Sequence, residues 1–251
     1  MRRQMSAAVI AGVGKELFNT EILWEMLPGI VTEAMRNTIV YTAISFGFGL
    51  ALGLALALGR ISRRRRFRWP AATFIDAIRG LPALLTIILI GFGFPIAYRG
   101  VTGNIFRWPF GSFGAKYVPQ CFALSIVAAA YMAESIRAGI EAVPIGQMEA
   151  ARSLGMTRNK AMGKVILPQA FRIIIPPLTN ELTALFKDTS LIAILGVGIG
   201  GREILTYSRL FSNTRASTTP LVAAGIAYLV ITLPLLQLVA YLDRRAKAGS
   251  R

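Results

Sequence analysis

Histidine is absent from this 251-residue chain, and cysteine occurs once, at Cys121. Without histidine there can be no Ser-His-Asp or Cys-His catalysis, no histidine zinc site and no histidine proton relay. One cysteine rules out an intrachain disulfide and a cysteine-built metal site. Because Cys121 lies in an apolar run, it reads as a small buried hydrophobe. Charge is also scarce: 16% of residues are Asp, Glu, Lys or Arg, against about 25% in a soluble domain. The hydrophobic fraction is 54% and the mean hydropathy +0.56. A bilayer removes the need for the polar surface that this composition cannot supply. No nucleotide-cradling G-x-x-x-x-G-K-[ST] occurs, since Gly14-Lys15 is followed by Glu16 and Gly163-Lys164 by Val165.

Long apolar runs take the place of these missing groups. Crossing about 30 Å of hydrocarbon takes about 20 apolar residues in a helix. Runs over 38–59, 81–98, 117–133 and 216–242 carry no charge. A fifth run, 173–201, is interrupted by Glu181, Lys187 and Asp188. The expected fold is an all-α membrane protein with about five transmembrane helices, near 36–59, 76–98, 117–140, 172–200 and 216–242. The stretch 1–27 reads as an uncleaved extracytoplasmic leader, 28–243 as the transmembrane domain and 244–251 as a basic tail.

The net charge of +16 and pI near 11.0 would suit a nucleic-acid binder, but its placement suits membrane topology. Alternate loops divide the basic residues sixteen to nine. The richer side holds Arg60, the Arg63 to Arg66 run, Arg68, the loop after span three and the C-terminal tail. By the positive-inside rule that side is cytoplasmic and the N-terminus lies outside. The Arg63 to Arg66 run is a topology anchor facing anionic lipid, and no nucleic-acid partner is expected. Gly49 and Gly53 form a GxxxG pair that lets another helix approach, most simply one of the same chain.

Between spans three and four lies RAGIEAVPIGQMEAARSLGMTRNKAMGKVILPQAFR. It has helical grammar of its own. Good helix formers occupy 147–154, Gly155 suits a left-handed C-cap, and Thr157 suits the N-cap of a second short helix. That second helix is expected to run to about Val165 and to stop at Pro168. A projecting helix-glycine-helix element suits docking into a groove on another protein; an amphipathic hairpin lying on the surface is the alternative.

Here the residues resemble a known family. EAARSLG followed by ILP at 166–168 is similar to the EAA loop of binding-protein-dependent ABC importer permeases. FIDAIRGLPALL (74–85), YMAESIRAGIEAVPIGQMEAARSLGM (131–156) and ILPQAFRIIIPPLTNELTALFKDTSL (166–191) resemble the polar amino-acid branch of that family. The resemblance spans roughly 27–243. It implies a transport subunit of the bacterial cytoplasmic membrane rather than an enzyme, working with a second permease copy or a paralogue. It further implies two ATP-binding subunits, an extracytoplasmic solute-binding protein and an amino-acid substrate. No cofactor is expected on this chain, because ATP and magnesium belong to the ATPase. Glu149, Ala150, Ala151, Leu154 and Gly155 would form the coupling helix that fits a cleft in that ATPase.

Ionisable side chains inside a span cost about 2.5–3.5 kcal/mol each on insertion scales and are functional candidates by default. Span four offers Asn180, Glu181, Lys187, Asp188 and Thr189. From Ile173, Glu181 lies roughly 12 Å along the helix and Asp188 roughly 22 Å. A zwitterionic amino acid needs an anion-binding and a cation-binding locus, and Glu181 with the Lys187-Asp188 pair supplies both. The alternative is that Lys187 and Asp188 pair with neighbouring helices and that Glu181 packs or gates. Arg79, heading RGLP at 79–82, suits substrate contact, a gate or a helix break. Glu134, Arg137 and Glu141 have the spacing of mutual helix-surface pairs. Rival classes are an ion-coupled secondary transporter, which gives no reason for an EAA-like loop, and a membrane enzyme, which would find little chemistry here.

Overall fold

Asn19 starts the first described helix: its side chain accepts from the backbone N–H groups of Glu21 and Ile22, capping α1 (Thr20–Gly29). The computed structural model describes residues 17–104, 107, 111–196 and 200–248, and every regular element among them is helical. Through a π-helical turn (Ile30–Met35), α1 runs into α2 (Arg36–Ile61), so Thr20–Ile61 is one apolar helical run. Part of the expected leader is thus helical from Thr20, while 1–16 lie outside the described residues.

The expected second span divides in two. An amphipathic helix α3 (Arg65–Gly80) comes first, then Leu81 and Pro82 adopt extended backbone, then α4 (Ala83–Ile88) begins. Proline pushes the residue before it out of the helical region, so the break falls at RGLP. A π turn (Leu89–Gly93) joins α4 to α5 (Phe94–Thr102), and left-handed Gly103 ends the run.

The longest helix, α6 (Gly111–Glu141), lies alongside α2 in the same direction. A Cβ on Gly49 would sit 3.0 Å from Ala128 Cβ; one on Gly53 would sit 3.0 Å from the Ala129 carbonyl and 3.1 Å from Met132 Cβ. The GxxxG pair therefore serves packing within the chain. After a hairpin made of α7 (Ile145–Ser153) and α8 (Arg158–Ala161), the chain returns as α9 (Leu167–Asp188), which a 3₁₀ turn (Thr189–Leu195) extends. Two more helices follow, α10 (Ile204–Arg215) and α11 (Thr219–Ala248).

Pro168 does not end the second hairpin helix. It lies in the first turn of α9, where a missing N–H costs nothing, and a π turn (Met162–Ile166) joins α8 to it without leaving helical backbone. Pro176 and Pro177 are likewise contained within α9. They leave the carbonyls of Arg172 and Ile173 without their usual helical donors.

Three buried clusters hold the bundle: Tyr41, Leu124 and Leu185 mark the one between α2, α4, α6 and α9. Met26, Phe186 and Ala227 mark a second, between α1, α9, α10 and α11. Ile75, Ile136 and Ile174 mark the third, between α3, α6 and α9. Outward, the pattern inverts. Phe48, Leu54, Leu58, Leu229, Leu233 and Leu236 are exposed on α2 and α11, a surface suited to hydrocarbon rather than water.

Four helical runs are long and apolar enough to cross a membrane: Thr20–Ile61, Ala83–Thr102, Tyr117–Glu141 and Thr219–Arg245. The fifth expected span corresponds to α9 and its 3₁₀ extension, with Arg172, Glu181, Lys187 and Asp188 on board. Cys121 is buried, as expected.

Candidate functional site: a polar seam and a projecting hairpin

Helical periodicity sorts the α9 candidates. Seven residues are nearly two turns, so Glu181 and Asp188 share one face and Asn180 and Lys187 the next. The first face turns toward α6. Together with Ile87, Leu124, Val127 and Tyr131, Glu181 and Asp188 line a small cleft between α4, α6 and α9. Glu181 accepts a 3.5 Å hydrogen bond from Ser135 Oγ. Neither carboxylate forms an ion pair among the described residues.

Arg79, on the last turn of α3, reaches the same seam from below. Its guanidinium lies 5.7 Å from the Tyr131 ring centroid and 4.0 Å from Glu134. Asn180 and Lys187 are exposed on the adjoining face, away from that cleft. Thr189 is fully buried and donates from its hydroxyl to the Phe186 carbonyl at 2.7 Å. The structure therefore gathers Arg79, Glu181 and Asp188, leaves Asn180 and Lys187 facing outward, and ties Thr189 into the backbone.

Glu134 gathers a network at the foot of the seam. It pairs with Arg137 on its own helix, and Arg60 of α2 lies 3.8 Å away. Arg60 also bonds Asp76 of α3 at 2.7 Å, and Arg137 pairs with Glu141. The two pairings within α6 follow from their spacing. Arg60 and Asp76, sixteen residues apart, meet only because α3 folds back against α2 and α6.

Two further polar groupings were not among the residues singled out from the sequence. Asn37 donates to the carbonyls of Gly200 and Arg202 at 3.1 and 3.0 Å and accepts from Tyr117 OH at 2.8 Å; Tyr41 OH donates to the Gly201 carbonyl at 2.9 Å. Glu203 is 0% exposed. Its carboxylate caps α10, accepting from the backbone N–H groups of Leu205 and Thr206 at 2.6 Å and from Tyr228 OH at 3.0 Å. A glutamate directly before a helical run, as in E-ILTYS, is the signal that would have found it.

The hairpin is built differently. Gly155 has φ +81°, its N–H donates to the Arg152 carbonyl, and Met156 N–H reaches the Ala151 carbonyl at 3.1 Å. This left-handed cap closes α7. Thr157 then caps α8 through its hydroxyl, as expected. Ala151 is buried, and Met148, like Met162 and Val165, packs against the third cluster. Glu149 and Ala150 face outward, while Ile145 and Leu154 are 77% and 82% exposed. Two large apolar side chains and an alanine thus stand unpartnered on a small rigid element beyond the bundle. No group of His, Cys, Asp or Glu able to hold a metal ion occurs among the described residues.

Helices with an apolar exterior and a polar interior seam define a multi-pass membrane protein. Residues 49–248 match the family described as binding-protein-dependent transport system inner membrane component, and the chain belongs to it. It is 40% identical to the L-cystine transport system permease protein TcyB of Bacillus subtilis, over 68% of this chain and 70% of that protein. It is 34% identical to the arginine transport system permease protein ArtQ of the same organism, over 87% and 93%. A crystal structure of an amino acid ABC transporter with histidines aligns with a TM-score of 0.75 and 31% identity, covering 89% of this chain and 96% of that one.

Proposed function

We propose that this chain forms the substrate pathway of an ATP-driven importer for a polar amino acid, with its N-terminus outside and its hairpin in the cytoplasm. The observation that carries this reading is the hairpin itself: a left-handed Gly155 holding Leu154 and Ile145 out as exposed apolar contacts. A secondary transporter has no use for such an element. Glu149, Ala150, Ala151, Leu154 and Gly155 form the docking knob for an ATPase chain that carries ATP and magnesium. The names of similar proteins, among them TcyB and ArtQ, support an amino-acid cargo delivered by a solute-binding protein.

In the working complex two ATPase copies sit beneath two permeases, identical or paralogous. ATP binding closes the ATPase pair, and the hairpins carry that motion into α6 and α9, between which the seam lies. Glu181 and Asp188 there offer carboxylates to the substrate ammonium, and Arg79 offers a cation to its carboxylate. Asn180 and Lys187, exposed on the adjoining face of α9, face the second permease across the pathway. The Glu134 network fastens α2, α3 and α6 at the lower end of the seam, where a gate belongs.

The test is uptake in proteoliposomes holding the whole complex, with labelled amino acids from basic, acidic and amide classes. The expected result is uptake that needs both ATP inside the ATPase compartment and the binding protein on the opposite side. Gradient-driven flux through the purified chain alone would overturn the proposal.

A further inference from the structure

At the end of the bundle that carries the hairpin, the start of α3 presents a surface that transport does not use. Arg63, Arg64, Arg65, Arg66 and Arg68 are all exposed, and none forms an ion pair among the described residues. Interleaved with them, Phe67 is exposed and Trp69 is 65% exposed, with the Arg66 guanidinium 4.9 Å from the Phe67 ring centroid. Below this turn a cleft of about 330 Å³ is lined by Arg60, Arg68, Trp69, Ala72, Arg137 and Glu141, a volume within the usual range of small-ligand sites, about 300–1,000 Å³. Its only carboxylate, Glu141, is already held by Arg137.

We infer that this cleft binds the headgroup of an anionic phospholipid. Arg68 forms no ion pair among the described residues, and its planar guanidinium fork matches phosphate oxygens two at a time. The unpaired Arg63 to Arg66 run stands beside it, while Arg60 and Arg137 line the wall already holding carboxylates. Position selects lipid over a free anion. α3 lies between the ends of two apolar runs, α2 and α4, and its inner face is buried through Ile75 against α6. Trp69 and Phe67 therefore stand at the level where a bilayer surface begins, and an amphipathic indole is favoured there. A soluble phosphate would leave both rings in water. Arg60 and Arg137 also belong to the Glu134 network, so an occupied cleft shares two arginines with the foot of the seam.

The test uses the purified permease–ATPase complex, delipidated in detergent and titrated with dioleoyl phosphatidylglycerol or dioleoyl phosphatidylcholine, with retained lipid read by native mass spectrometry. The complex should retain phosphatidylglycerol preferentially. Arg65→Gln/Arg68→Gln should cut that preference at least about tenfold, since each basic residue at an anionic surface contributes about fivefold. Trp69→Ala leaves every charge and hence the orientation intact, and should weaken retention as well. Inorganic phosphate should not displace the lipid. Equal retention of the two lipids, an unchanged preference in the double variant, unchanged retention in Trp69→Ala, or displacement by inorganic phosphate would overturn the assignment. Loss of the ATPase from the double variant with lipid preference intact would instead make the patch a protein contact, and would also overturn it.

Discussion

The α2–α6 contact and the α7–α8 hairpin are both rich in small residues, yet they use them in opposite ways. In the contact, Gly49, Gly53, Ala128 and Ala129 bring two helices together so closely that no added methyl fits without displacement. Everything that contact needs lies within one chain. In the hairpin, Gly155 has open space around the position of an absent Cβ, and what it supplies is a backbone angle. Ile145 and Leu154 remain uncovered. Small residues that are crowded mark an internal contact. Small residues beside exposed large ones serve, on the proposed function, a contact with another chain.

Substitutions break this comparison in order of expected effect. Gly155→Val forces a branched residue into left-handed backbone, a strain of about 1–3 kcal/mol confined to the docking knob. ATP-driven uptake and ATPase co-purification should fall at least about tenfold, with membrane insertion unchanged. Gly53→Leu should instead lower the thermal midpoint of the purified chain, overpacking costing about 1–3 kcal/mol. A loss of ATPase co-purification in Gly53→Leu as large as that in Gly155→Val would show that the two regions are not separable.

Asn37→Ala strips Tyr117 of an acceptor and the carbonyls of Gly200 and Arg202 of their donor, so a loss of about 1–3 kcal/mol is expected in chemical denaturation. Glu134→Gln is expected to cost less, about 1 kcal/mol or under, because the network is partly exposed. That variant should still co-purify with its ATPase while uptake slows. Unchanged uptake would remove the network from the gate. Leu154→Asp has the smallest effect on stability, within about 0.5 kcal/mol, yet it should reduce ATPase capture.

Features set by local chemistry were legible before any coordinates. Uncharged runs announced the four apolar spans, the Glu134–Arg137–Glu141 spacing announced its pairs, and Gly155 and Thr157 announced the two caps. What escaped was non-local or overridden. Pro168 reads as a stop, but a π turn lets it serve as the start of α9. RGLP at 79–82 suited a helix break among other roles, yet apolar content alone ran one span across it, from 76 to 98. Asn37 gives no hint of a loop more than 160 residues away, and that partnership exists only once α2 and α9 are side by side. Of the α9 candidates, periodicity separates two faces but does not say which turns toward α6. Packing decides that Glu181 and Asp188 do.

A cysteine placed at Leu154 tests the central claim most directly, because the native Cys121 is buried and silent. A membrane-impermeant thiol reagent should label it in inside-out vesicles stripped of ATPase, and rebinding the ATPase should protect it. Labelling in intact cells, or equal labelling with and without the ATPase, would contradict the account.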